Sequence, residues 1–79
     1  MRVTGKIRLI GNGFMTELVI TGQENEWYIP KEEEYKFKDL QQRTVTVQGS
    51  ETIENLTFAS GLPAGERRTL KNIRIIAID

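Results

Sequence analysis

The side chains best suited to bind a charged partner form a basic cluster near the C-terminus. Arg67, Arg68 and Lys71 lie within five residues, directly after the glycine-containing segment 60–66, and Arg8 is a candidate fourth member. Guanidinium and ammonium groups are the usual protein partners of phosphate and carboxylate groups. The cluster has two interpretations, an anion-binding contact or a basic loop rim that is simply solvated. In both, we expect Arg67 and Arg68 to reach solvent.

A second candidate contact surface is apolar. The alternation of the sequence places Met15, Val19 and Tyr28 on the outward side of two neighbouring predicted strands. These residues are either ordinary surface scatter, since much of any protein surface is apolar, or a contact for a protein partner or a second copy. Tyr28 could also stack against a nucleic-acid base. We assign Trp27 to the core rather than to a ligand platform.

Charge is distributed unevenly along a chain whose eleven basic and eleven acidic residues cancel. Residues 17–34 contain six acidic residues and one basic residue, so this stretch repels phosphate. Residues 1–16 contain three basic residues and no acidic one, and residues 67–79 contain four basic residues and one acidic one. Because the total is neutral, the whole chain has no general attraction to nucleic acid. Nucleic acid is therefore the less favoured partner.

The chain offers little for catalysis or metal binding. It contains no cysteine and no histidine, which removes thiolate and imidazole ligands, Ser-His-Asp triads and Cys-His dyads. The run Glu32-Glu33-Glu34 does not make an acid–base pair, because adjacent residues of a helix point about 100° apart. We therefore expect a non-enzymatic protein with no catalytic residues, no metal and no cofactor.

The first half of the chain predicts three strands. Strict alternation over residues 2–9 indicates a half-buried strand whose inward residues are Val3, Gly5, Ile7 and Leu9. Gly5 predicts a bend or bulge, and Gly11-Asn12-Gly13 predicts a tight hairpin turn. Phe14 to Thr21 predicts a second strand with an inward set of Phe14, Thr16, Leu18 and Ile20. Glu26 to Ile29 predicts a third strand, with Trp27 and Ile29 on one face.

The second half begins with a helical signal. Pro30 and the glutamates after it predict a helix of about ten residues, with i,i+4 ion pairs Glu32–Lys36 and Glu34–Lys38 and a short apolar stripe of Phe37 and Leu40. Arg43 to Gly49 predicts a fourth strand, and 51–59 indicates either its extension or an extra hairpin arm. Residues 60–66 predict a loop, and we expect 60–68 to be the least ordered internal segment. The last strand is predicted over 69–78, with its end covered on both faces.

Three short motifs resemble a known family. Val3-Thr4-Gly5-Lys6-Ile7, Val19-Ile20-Thr21-Gly22 and Val45-Thr46-Val47-Gln48-Gly49 are similar to strands of small bacterial OB-type proteins of the stress-associated, often extracytoplasmic kind. Three strands, a short helix and one or two further strands is also the order of the OB-fold, a five-stranded Greek-key barrel. The resemblance implies a helix that closes one barrel end and a ligand surface on the outer face of strands two and three. It carries over no functional residue.

The sequence thus predicts an all-β fold with small α content. We expect a five- to six-stranded OB-like Greek-key barrel with one short helix between strands three and four, in a single domain over residues 1–79. We expect one core that contains Ile7, Leu18, Trp27, Val45, Val47 and Ile75.

The expected function is that of a non-enzymatic binding or interaction module with a protein or envelope-associated ligand. The alternatives are a single-stranded nucleic-acid-binding OB domain that uses the basic region 67–74, and a purely structural domain of a larger chain. We expect a protein partner or a homo-oligomer and no membrane span, since no apolar run approaches about 18 residues. The expected compartment is extracytoplasmic if a leader was removed before Met1, and cytoplasmic otherwise.

Overall fold

Five strands close into a barrel in the computed structural model, which describes residues 1–79 apart from the side chain of Asn12. The strands are β1 (Arg2–Asn12), β2 (Met15–Thr21), β3 (Glu26–Tyr28), β4 (Thr44–Thr57) and β5 (Pro63–Ile78). Their order around the barrel is β1-β2-β3-β5-β4, and β4 pairs back onto β1. Only the β3–β5 pair is parallel among the described strands. The predicted all-β barrel with one short helical region between the third and fourth strands is confirmed.

Side chains from all five strands and from the helical region fill the barrel. The core consists of Val3, Ile7, Leu18, Ile20, Trp27, Ile29, Phe37, Val45, Val47, Leu70 and Ile73. Five of the six predicted core residues belong to it, and the sixth, Ile75, is partly buried against it. The alternation located the core correctly because successive side chains of a strand point to opposite faces, and only one face of each strand lines the barrel interior.

Gly5 lies where β1 changes its neighbour. Residues 2–6 of β1 pair with β4, and residues 6–12 pair with β2. A Cβ atom on Gly5 would lie 2.6 Å from the backbone oxygen of Thr21 and 2.9 Å from Cγ2 of Ile20. The inward glycine is therefore required by a close approach between two strands as the sheet curls into a barrel.

The segment after Pro30 forms 3₁₀ turns, and the predicted ten-residue α-helix is wrong. Two 3₁₀-helices span Lys31–Lys36 and Lys38–Leu40. Because a 3₁₀-helix has three residues per turn, its ion pairs are i,i+3 rather than the predicted i,i+4. They join Lys36 to Glu33 at 2.9 Å and Lys31 to Glu34 at 3.4 Å. The apolar stripe faces inward: Phe37 is fully buried and Leu40 packs against the core.

Glu33 fastens this helical region to β5. Its carboxylate accepts hydrogen bonds from the backbone N–H of Ile73 at 2.7 Å and of Asn72 at 2.9 Å. Lys36 Nζ lies 2.9 Å from the same carboxylate and also donates to the carbonyl oxygen of Ile73 at 2.7 Å. Burial raises the pKa of Glu33, but the hydrogen bonds from Ile73, Lys36 and Asn72 lower it by more. The pKa therefore lies below its ordinary value of 4.5.

Replacing Glu33 by glutamine tests this fastening. We expect Glu33→Gln to lower the free energy of unfolding at pH 7 by about 1.5–3 kcal/mol, because hydrogen bonds to a charged group are lost. The pKa of Glu33 is lower in the folded protein than in the unfolded chain, so the ionised carboxylate stabilises the fold above the unfolded value. That contribution is lost as the pH falls through the folded-state pKa, below 4.5. The difference between the two proteins should therefore shrink in acid.

Urea unfolding of both proteins at about pH 7 and about pH 3 measures this effect. Glu32→Gln is the matched control, because the neighbouring Glu32 is exposed on the same turn. It should change the free energy of unfolding by less than about 0.5 kcal/mol at either pH. An equal effect of the two substitutions would contradict the role assigned to Glu33.

Two predicted strand boundaries are corrected. The turn predicted at Gly11-Asn12-Gly13 lies later, since β1 runs through Gly11 and the connection to β2 consists of Gly13 and Phe14. The loop predicted over 60–66 is also wrong in part, because β5 already begins at Pro63. The segment 51–59, for which two interpretations stood open, is mainly an extension of β4, which ends at Thr57.

Three residues that were predicted to point inward or to be covered are exposed. Leu9 lies beyond Lys6, the last residue of β1 that pairs with β4, so it is outside the fully closed section and is exposed. The end of β5 was predicted to be covered on both faces, but Ile76 is 40% and Ile78 is 47% exposed. Ile76 lies at an irregularity in the pairing of β5 with β4, and Ile78 is the last residue of β5.

The paired ends of β4 and β5 project from the barrel as a two-stranded arm. We define the arm as residues 51–67, which lie beyond Gln48, the last β4 residue paired with β1. Glu54 pairs with Arg67 and Leu56 pairs with Gly65, and the strands are joined around Gly61. The arm contributes to the elongated shape, whose principal extents are 43 × 30 × 23 Å.

Candidate functional site

One arginine covers part of the outer face of β2 and β3. Arg67, at the base of the arm, places its guanidinium 3.9 Å from the centre of the Tyr28 ring. Its Nη2 also donates to Glu17 Oε1 at 2.8 Å. A guanidinium stacked on an aromatic ring and paired with a carboxylate is held from two directions. The Arg67–Tyr28–Glu17 cluster thus joins β5, β3 and β2 across the face on which sequence reasoning placed a ligand surface.

The predicted apolar patch of Met15, Val19 and Tyr28 is not formed. Val19 is fully buried, although its neighbours Leu18 and Ile20 point into the barrel from the opposite side of the strand. Its register partners are Arg8 on β1 and Tyr28 on β3, and long side chains on the same face cover a small one between them. Tyr28 is half-buried, and only Met15 is strongly exposed, at 80%.

The residues of the predicted basic cluster do not lie together on one face of β5. Arg67 and Arg68 are adjacent residues of β5, so their side chains point to opposite faces. Arg68 Nε lies 3.7 Å from Glu51 and its Nη2 lies 3.4 Å from Glu66. Both arginines therefore form ion pairs with 37% and 28% of their side chains still exposed, and they belong to β5 rather than to a loop. Lys71 and the candidate fourth member Arg8 are exposed, and Lys71 pairs in register with Ser50, away from Tyr28.

Trp27 is anchored beside Arg68. Its indole Nε1 donates to Glu51 Oε2 at 2.8 Å, and its ring belongs to the core, as predicted. Glu51 thus contacts both Trp27 and Arg68 at the point where the arm leaves the barrel. A buried indole N–H usually finds such an acceptor, so this contact fixes the base of the arm.

A pocket of about 280 Å³ lies between the β1–β2 hairpin and the Arg67 cluster. Its lining combines apolar side chains with two cations and one carboxylate: Phe14, Met15, Thr16, Glu17, Lys31 and Arg67. Lys31 is also held in place, since its Nζ donates to the carbonyl oxygen of Thr16 at 2.5 Å. An apolar wall beside fixed polar groups is typical of a surface that binds a partner by both packing and hydrogen bonds.

Phe14 is the residue of this pocket that sequence reasoning missed. It was predicted to be inward, but it occupies the second position of a two-residue hairpin turn and is fully exposed. Gly13 precedes it with a φ of 57°. A glycine at the first central position is the signal of a two-residue turn, so the Gly13-Phe14 pair could have located this turn one step further along the chain.

The arm carries a second group of exposed apolar side chains. They are Ile53, Leu56, Phe58 and Leu62, and the last two are 60% and 64% exposed. The backbone N–H of Phe58 donates to the carbonyl oxygen of Leu62 at 2.8 Å, so these two residues meet at the tip. Together, Phe14 and Met15 on one hairpin and these four residues on the other define the exposed apolar hairpins.

No family model, no curated protein and no solved structure matches the chain. Among the described residues, no group of three or more acidic side chains is placed to hold a metal ion. No helix within the described part of the chain is long and apolar enough to cross a membrane.

Proposed function

We propose that this chain is a non-enzymatic binding module of the OB type that uses its exposed apolar hairpins to contact a protein partner. The observation that carries the proposal is the exposure of Phe14 and Met15 at one hairpin and of Phe58 and Leu62 at the other. A small chain with a complete core gains nothing in stability from apolar side chains held in water. Exposed apolar patches are typical of protein–protein contacts.

The strand order supports the OB part of the proposal. The OB-fold is a five-stranded Greek-key barrel with variable first and last hairpin loops beside its ligand face. Here β1-β2-β3-β5-β4 is the order around a closed five-stranded barrel, and the helical region joins β3 to β4. The two hairpins with exposed apolar side chains are the β1–β2 and β4–β5 connections. They correspond in position to the loops that OB-folds use for binding.

The covered state of Tyr28 favours a protein over single-stranded nucleic acid on this face. Single-strand binders offer open aromatic platforms in a positive groove. The Tyr28 ring is instead covered by Arg67, whose charge is paired with Glu17. Glu26 adds negative charge on β3, and Glu24 adds it in the connection between β2 and β3. A stacked base would have to displace Arg67 and then lie next to carboxylates.

Site-specific photocrosslinking tests the proposal in cells that produce the protein. A benzoyl-phenylalanine at position 14 or 58 should give one discrete covalent adduct, because both positions point into the proposed contact. The same probe at position 35 is the matched control, since Tyr35 is an exposed aromatic residue of the helical region and belongs to neither hairpin. An adduct of about twice 9.1 kDa would identify a second copy as the partner.

Competition with unlabelled protein is the second part of the experiment. Excess unlabelled protein should suppress the adduct, whereas excess Phe14→Ser/Phe58→Ser protein should suppress it at least about tenfold less efficiently, as expected when apolar anchors are removed. Both substitutions replace exposed side chains, so the variant should keep its stability within about 0.5 kcal/mol per site. Adducts that are equally abundant from position 35, or that the double variant suppresses equally well, would contradict the proposal.

A further inference from the structure

The outer face of β1, β4 and β5 carries a row of cations that lies apart from the exposed apolar hairpins. On β1, Arg2 and Lys6 alternate with buried residues and therefore point outward. Arg2 pairs with Gln48 of β4, and Gln48 pairs in turn with Arg74 of β5. One line across three neighbouring strands thus begins and ends with a guanidinium.

Further cations extend this face in both directions. Lys71 pairs with Ser50 next to Arg74, and Arg8 continues the outward set of β1 beyond Lys6. We call the five cations the basic face; they are Arg2, Lys6, Arg8, Lys71 and Arg74. All five are exposed. Among the described side chains, none of the five takes part in an ion pair, in contrast to Arg67, Arg68, Lys31 and Lys36.

The strand segments that carry the basic face contain no acidic residue, although β4 and β5 carry Glu51, Glu54 and Glu66 on the arm and Asp79 follows the end of β5. Residues 1–16, 44–50 and 69–78 include no aspartate and no glutamate. The acidic residues are concentrated instead in 17–34 and on the arm. A chain that is neutral as a whole therefore presents a positive potential on one side, and it is the local potential that attracts a charged partner.

The same face has hydrogen-bond donors and two shallow depressions. One, of about 410 Å³, is lined in part by Gln48, Ser50, Asn72 and Arg74. The other, of about 530 Å³, is lined in part by Thr4, Lys6, Thr21 and Thr44. The buried hydroxyl of Thr21 has no hydrogen-bond partner among the described residues. Hydroxyl and amide groups beside Arg and Lys are the side chains that contact phosphate oxygens in nucleic-acid complexes.

We propose that the basic face binds the phosphodiester backbone of double-stranded nucleic acid without reading its sequence. The strand segments 1–12, 44–50 and 69–78 contain no aromatic residue, so they offer no platform for unstacked bases. A duplex is the nucleic acid with the densest charge, about one phosphate per 1.7 Å of its axis. From Arg2 to Arg8, β1 covers about 20 Å at about 3.3 Å per residue, a length over which a duplex presents more phosphates than the five cations can neutralise.

Fluorescence anisotropy with a labelled duplex DNA of about 20 base pairs tests the proposal. The intact chain should bind at about 50 mM salt and should lose roughly 500-fold in affinity at about 200 mM, since five neutralised phosphates at about 0.9 each give a salt slope of about 4.5. Lys6→Glu and Arg74→Glu should each weaken binding at low salt by at least about tenfold. Lys38→Glu changes the net charge equally at an exposed site on the helical region, and it should weaken binding by no more than about twofold.

Other outcomes would overturn the basic face as a duplex site. Absence of binding at about 50 mM salt would do so, as would an equal loss in Lys38→Glu. Tighter binding to the single strand of the same sequence, abolished by Tyr28→Ala, would assign the contact to β2 and β3 instead. Binding to phosphatidylserine vesicles without binding to duplex would assign the face to a membrane surface. The photocrosslinking sites at positions 14 and 58 lie outside the basic face, so either proposal can fail while the other stands.

Discussion

Phe37→Ala should lower the free energy of unfolding by about 3–5 kcal/mol, the usual cost of removing a buried phenylalanine. Phe37 is the largest fully buried side chain of the protein and enters the core from the connection between the two 3₁₀-helices. Its loss removes apolar contact and leaves a cavity at the point where the helical region packs onto the barrel. A domain of 79 residues has roughly 4–12 kcal/mol of stability, so this single change removes a large share of it.

Urea unfolding followed by tryptophan fluorescence measures this cost, because Trp27 belongs to the same core. Phe37→Leu keeps most of the volume and should cost less than half as much, which keeps the test informative if Phe37→Ala does not fold. Phe58→Ala is the control, since it truncates the same residue type at an exposed position and should change the free energy by less than about 0.5 kcal/mol. Equal effects at positions 37 and 58 would show that Phe37 does not close the barrel.

Gly5→Ala should destabilise the protein by about 1–3 kcal/mol or more, although it adds one methyl group. The new Cβ would lie 2.6 Å from the backbone oxygen of Thr21. That oxygen belongs to the strand pair in which Lys6 lies opposite Thr21, so it can move only if β1 and β2 separate at the point where the barrel closes. The steric clash can therefore be relieved only by breaking backbone pairing, because no side-chain rotation removes it.

The adjacent exposed position provides the comparison for Gly5. Lys6→Ala removes an outward side chain from the same strand and should cost no more than about 0.5 kcal/mol. Thermal unfolding of the two variants under identical conditions measures the difference, which we expect to be about 4–8 °C in the midpoint for each kcal/mol. A Gly5→Ala protein as stable as Lys6→Ala would mean that the strands do not approach each other this closely.

The two proposed surfaces divide the protein by chemistry. The exposed apolar hairpins offer Phe14 and Phe58 for packing against a protein, and the basic face offers cations such as Arg74 without neighbouring acids. Between them, Arg67 neutralises Glu17 and covers Tyr28. This cluster gives stability to the face of β2 and β3 and leaves it without an open aromatic platform.

Local alternation was sufficient to predict the strands and most of the core. Val45 and Val47 point inward and Thr44 and Thr46 point outward because side chains of a strand alternate, whatever the strand packs against. Charge patterning likewise located the basic and acidic segments, since the segments 1–16 and 17–34 carry opposite charge before any folding takes place. The helical signal after Pro30 was correct in position but not in type. With three residues per turn, Phe37 and Leu40 lie on the same side of the 3₁₀ segment, and both pack against the core.

Tertiary structure alone decided which outward residues stay exposed. Val19 has an outward position in its strand but is buried, because Arg8, Tyr28 and their neighbours come from other strands that surround it. Arg67 and Arg68 are adjacent in sequence yet face opposite sides, and each meets a carboxylate that is remote along the chain, Glu17 for one and Glu51 for the other. Sequence alternation determines the side of a strand on which a residue lies. What covers that side depends on contacts between residues far apart in the chain, which only the closed barrel brings together.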